Sequence, residues 1–122
     1  MSTMQFEGQC IFNDGESFIF NRFRITERGD ILVEISGNSI TDRYALSCRL
    51  QKENGRYSGR GVIEYVGNKK DRTHSVTIVI QENEMSFSED LCMIKRGQWE
   101  LKTLHGSEIY YFSGELERII AD

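Results

Sequence analysis

Proline is missing from all 122 residues. Because proline removes a ladder donor, a chain without it is compatible with long strands hydrogen-bonded to a neighbour on each side, as closure into a barrel provides. Cysteine is scarce and odd in number. Cys10, Cys48 and Cys92 lie far apart, each within a strand-like apolar run, with no Cys-x-x-Cys pair and no histidine at a zinc-ligand spacing. Reduced, buried thiols account for them, so no disulfide framework and no metal site are expected. No stretch approaches the roughly 20 apolar residues that a membrane span needs, and Met1-Ser2-Thr3-Met4-Gln5-Phe6 is not a basic segment leading into an apolar run. A cytoplasmic protein without a membrane partner is the expectation. Lys and Arg are spread along a chain of formal net charge −4 in nothing longer than adjacent pairs, which argues against the clustered positive charge that binds nucleic acid. Gly-x-Ser-x-Gly elbows, phosphate-binding glycine loops and His-Glu-x-x-His are absent as well.

What the chain does have is a two-residue alternation of apolar and polar side chains from end to end, cut by glycine-centred turns. That period marks strands with one face packed and one face wet. Ten strands are predicted: Met4–Phe12, Ser17–Thr26, Ile31–Ser36, Asp42–Gln51, Arg56–Val66, Thr73–Glu82, the short runs around Met85–Phe87 and Leu91–Ile94, then Gln98–Leu104 and Glu108–Ile119. Asn13-Asp14-Gly15-Glu16 and Asn54-Gly55 are hairpin turns, and Lys95-Arg96-Gly97 reads as another turn. In the second strand the polarity changes sides midway. Phe18 and Phe20 share a face with Arg22 and Arg24, while Phe23 and Ile25 fall opposite, which predicts either a bulge or an end covered on both sides. Gly8, Gly59, Gly61 and Gly114 fall on the inward faces, where a barrel strand must bend.

Short hairpin connections favour sequence neighbours as spatial neighbours. The expected fold is therefore all-β: one antiparallel up-and-down barrel of about 8–10 strands spanning residues 1–122 as a single domain. In strand number and length this resembles the calycin-like barrels, the group of lipocalins and fatty-acid-binding proteins. Two features of that group are not present here: Gly8 is followed by Gln9 and Cys10 rather than by a Gly-x-Trp signature, and four turn residues between the first two strands leave no place for a lidding helix pair. The resemblance thus implies a shape able to hold one small ligand.

Inside such a barrel the aromatic residues decide whether it is filled or hollow. A buried phenol needs a hydrogen-bond partner, and several phenols in one cavity can grip the polar group of a ligand. Tyr44, Tyr57, Tyr65, Trp99, Tyr110 and Phe112 are accordingly the expected binding residues for a small apolar or amphipathic molecule, with no cofactor. Two other readings stand beside this one. If Phe18 and Phe20 are exposed, next to Arg22, Arg24, Arg43, Arg49 and Arg60, the barrel has a filled core and a face for protein interaction or homodimerisation; the arginines otherwise pair across strands with Glu34 and Glu64. If His74 or His105 lines the cavity, a barrel enzyme of isomerase or cyclase type is possible. Neither histidine has a recognisable catalytic partner in the sequence, so the expectation leans away from an enzyme.

Overall fold

A computed structural model describes residues 2–28, 30–39, 44–65 and 73–119. Nine strands carry most of them: β1 Ser2–Phe12, β2 Ser17–Arg28, β3 Asp30–Ser39, β4 Tyr44–Glu53, β5 Arg56–Tyr65, β6 Thr73–Gln81, β7 Met85–Phe87, β8 Leu91–Thr103 and β9 Gly106–Arg118, with one 3-10 turn at Glu82–Glu84. All pairings are antiparallel; each strand pairs with the next in sequence except β6, which pairs with β8 instead of β7, and β9 returns to β1. β6 and β7 both pair with β8, at opposite ends of it, so these two strands and the 3-10 turn between them form one interrupted stave. The result is a closed barrel of eight staves wound as an up-and-down meander, in which every described strand but the short β7 is paired on both sides.

Two bulges reconcile the alternation with this closure. Phe20 pairs with Gly8 and Phe23 with Phe6, three residues on β2 against two on β1; the pairing with β3 slips between Phe20 and Arg22, which makes Asn21 the extra residue. The bulge returns Phe23 and Ile25 to the side of Phe18 and Phe20, and all four are buried. It also overturns the expectation of an exposed Phe18–Phe20 patch, since these side chains are 0% and 1% exposed. The second bulge replaces a predicted turn. Lys95-Arg96-Gly97 does not reverse the chain, because β8 runs through it, slipping one residue between Ile94 and Gly97 against β9. Lys95 and Arg96 both reach solvent there, while Ile94 on one side and Trp99 on the other stay inside.

The predicted corner glycines are places where backbones nearly touch. A Cβ on Gly8 would stand 2.7 Å from the Glu115 carbonyl oxygen, and one on Gly59 would collide with the Arg49 carbonyl. Their missing side chains therefore admit the neighbouring strand rather than leave empty space. The middle of the barrel is packed with Phe6, Phe20, Phe23, Ile25, Leu50, Ile78, Ile94 and Leu116, each 2% exposed or less. Cys10, Cys48 and Cys92 are free thiols within this core. No described helix is long and apolar enough to cross a membrane.

Candidate functional site

At one end of the barrel the packing stops short and leaves a pocket of about 230 Å³. The strand register builds it. Tyr44 begins β4 directly opposite Tyr65 at the end of β5, and Trp99 of β8 is opposite Tyr110 of β9, with Leu101 paired to Glu108 one step nearer the rim. Phe12, Trp99 and Ile63 form its inner wall. Trp99 stands edge-on to Phe12 at 5.2 Å and to Phe18 at 5.5 Å, and it is only 3% exposed. Such offset contacts lock the indole in place. Tyr44 is stacked on Phe18 at 5.9 Å and lies 6.4 Å from Trp99, so the rings of the pocket continue into the core.

The rim is acidic. Asp14 and Glu16 come from the β1–β2 turn, Glu108 from the start of β9. The turn is held rigidly: Gly15 at φ 92° closes it, the Glu16 amide donates to Asp14 Oδ1 at 2.9 Å, and the Phe12 amide donates to the Glu16 carbonyl at 2.8 Å. It is also tied to β9, because the Asn13 amide donates to the Tyr111 carbonyl at 2.9 Å and the Tyr111 amide donates to Asn13 Oδ1 at 3.0 Å. These bonds fix the acidic turn beside Tyr110. The Tyr110 hydroxyl in turn donates to Glu108 Oε2 at 2.7 Å.

Both phenols register the negative potential. Tyr44 is pushed up from 10.0 to about 12, by burial first and then by Glu16, Tyr65, Asp14 and Tyr110. Tyr110 is also pushed up to about 12, chiefly by its hydrogen bond to Glu108, then by burial and by the charges of Glu108, Asp14 and Glu16. Burial and the carboxylates both favour the neutral phenol. Among the described residues no three His, Cys, Asp or Glu side chains are placed to hold a metal ion.

Four of the six expected binding residues meet here: Tyr44, Tyr65, Trp99 and Tyr110. Phe112 lies beneath them, buried and 5.9 Å from Phe12 and 6.4 Å from Trp99. Tyr57 is at the other end of the barrel, 3% exposed, with Lys52 Nζ 6.0 Å from its ring centroid. Sequence reasoning passed over the three carboxylates, treating Asp14 and Glu16 as turn residues and Glu108 as a strand end. The alternation did carry a signal, since Glu108 is two residues from Tyr110 and so faces the same way. His74 stands edge-on to Tyr65 at 5.4 Å and His105 lies in the β8–β9 turn; neither lines the pocket. Residues 40–43, Arg43 among them, and 66–72 lie outside the described residues.

On the outer wall Arg22, Arg49 and Arg60 border an open groove with Glu34, Ser36 and Ser47. Glu34 sits between Arg24 on β2 and Arg49 on β4 in the register, and Arg49 Nη2 lies 3.6 Å from Glu34 Oε2. This is the cross-strand pairing, and at such exposure it contributes well under about 1 kcal/mol. In comparisons with known proteins, no family model, no curated protein and no solved structure matches the chain.

Proposed function

We propose that the protein is a non-catalytic binder that takes one small ligand, or the terminal group of a larger one, in the mouth pocket between Tyr44, Tyr65, Trp99 and Tyr110. The observation that carries the reading is the break in packing at that end. A barrel whose middle is filled with phenylalanine and aliphatic side chains leaves, over Trp99, a recess of about 230 Å³ walled by amphipathic rings. Ligand sites characteristically combine apolar walls with a few oriented polar groups, and the Tyr110–Glu108 pair and the phenol of Tyr44 supply them. The volume falls below the roughly 300–1,000 Å³ of drug-sized sites. Long acyl chains, which need a hollow interior, are therefore poor candidates, and compact molecules good ones.

The experiment is a metabolite screen of mixed charge and polarity, read by thermal shift and by the emission of Trp99, the single tryptophan of the chain. A true ligand at 100 times its dissociation constant stabilises by about 2.7 kcal/mol. It also perturbs Trp99 emission, and Tyr65→Leu, a change at the exposed rim, weakens it. Compounds that raise the melting temperature yet leave Trp99 emission and the Tyr65→Leu affinity untouched would place binding elsewhere and refute the proposal.

A further inference from the structure

We infer that the group held in this pocket is an organic cation of the alkylated-ammonium class, an inference that rests on the ligand-pocket reading above. Every charged residue among the described lining is an acid: Asp14, Glu16 and Glu108. Beneath them are three phenols and an indole, the rings whose negative faces attract cations. An anion would be repelled by the rim, and a neutral apolar ligand would strip water from carboxylates without giving them a partner. A metal ion would need converging oxygen ligands, and the described acids do not converge on one point. A quaternary or tertiary ammonium has none of these difficulties. It is weakly hydrated, requires no directional hydrogen bonds, and gains from ring faces and carboxylates at once.

A second observation points the same way. The chain has five tyrosines, and it covers two of them with its own cations: Lys52 Nζ lies 6.0 Å from the Tyr57 ring centroid, and Arg96 Cζ lies 4.1 Å from that of Tyr111. The other three are those of the pocket, whose described lining includes no lysine or arginine. An exogenous cation would complete at the mouth what Lys52 and Arg96 complete elsewhere.

Choline and its uncharged carbon isostere, 3,3-dimethylbutan-1-ol, separate charge from shape. Titrated into the full chain at low ionic strength and followed by Trp99 emission, choline is expected to bind at least about tenfold more tightly than the isostere, and added salt is expected to weaken choline alone. The triple change Asp14→Asn, Glu16→Gln and Glu108→Gln, at three exposed positions, should lose about tenfold more affinity for choline than for the isostere. Should the triple variant fail to fold, Glu108→Gln alone gives the same test with a smaller loss. A peptide carrying trimethyl-lysine, run beside choline, distinguishes a free cation from one presented on a polypeptide, and preference for either supports the assignment. Equal affinity for choline and the isostere overturns the cation inference but leaves the pocket reading standing. Failure of choline, tetramethylammonium and the trimethyl-lysine peptide to bind overturns it too, while the pocket reading is then decided by its own screen.

Discussion

Deleting Asn21 should leave the barrel folded, although a single-residue deletion inside a strand ordinarily turns half of its side chains inside out. Without Asn21 the inward set Phe18, Phe20, Phe23, Ile25 falls on strict alternation. The spacing from Phe20 to Phe23 then matches that from Gly8 to Phe6 on β1 and from Gly37 to Ile35 on β3, so both pairings become regular. What is lost is local twist and two exposed side-chain contacts, Asn21 Nδ2 donating to Asn38 Oδ1 at 3.4 Å and Ser36 Oγ donating to Asn21 Oδ1 at 3.1 Å. Together these contribute about 1 kcal/mol. Deleting Arg24, three residues away, has the opposite effect. With the bulge kept, Ile25, fully buried, turns outward at a cost of about 2 kcal/mol, and Thr26 turns inward with an unsatisfied hydroxyl at about 1–3 kcal/mol. For a chain of this size 1 kcal/mol corresponds to roughly 4 °C. Thermal melts by circular dichroism should then show about 4 °C of loss for the Asn21 deletion and about 12–20 °C for the Arg24 deletion. If the Asn21 deletion melts as low as the Arg24 deletion, or fails to fold while the latter folds, the bulge is not what holds the two halves of β2 to one face.

The thiols of Cys10, Cys48 and Cys92 are pushed up to about 12, 11 and 12 by burial, with Cys92 adding to the effect on Cys10, so the folded protein should resist alkylation at pH 8 and take up three equivalents only when denatured; rapid native labelling would contradict their place in the core. Tyr44 and Tyr110, held near 12 in the fold against 10.0 when free, ionise first in the unfolded chain, so stability is intact below pH 10 and falls as pH rises from there toward 12. Titration at 295 nm should show two phenols ionising near 12, and Glu108→Gln should bring Tyr110 down; an unmoved Tyr110 would mean that its hydrogen bond to Glu108 is not the cause.

The sheet was legible because its signal is local. On β4 and β6 the sequence alternation and the burial of Leu46, Cys48, Leu50 and of Val76, Ile78, Ile80 coincide residue for residue. Where it misled, an extra residue had broken the period. At Asn21 the break was visible as a polarity swap, but at Lys95-Arg96-Gly97 two charges before a glycine have the composition of a turn, and only pairing with β9 shows that the strand continues. The candidate site was half legible for a related reason. Alternation says which side chains face inward, not at what height they stand, so Tyr57 at one end and Tyr44 at the other looked equivalent. Height comes from register, and register is a property of two strands.

Once the heights are known, the inward residues form a gradient along the barrel axis. Toward the pocket, β4 runs from Leu50 through Cys48 and Leu46 and ends in Tyr44; β9 runs from Leu116 past Gly114 and Phe112, reaches Tyr110 and ends in Glu108; β1 runs from Phe6 through Cys10 to Phe12 and into the acidic turn at Asp14. Apolar rings and aliphatics give way to phenols and then to carboxylates on staves that are distant in sequence. Packing alone requires only the first part of that series, since the rim of a filled barrel is satisfied by any polar side chains. The opposite end shows the alternative, where the phenol at the same transition, Tyr57, lies 6.0 Å from a lysine that is itself bound to Glu82 at 2.7 Å. One end of the barrel thus sets its own lysine against its ring and its acid, and the other gathers phenols and acids around a recess whose described lining includes no lysine or arginine.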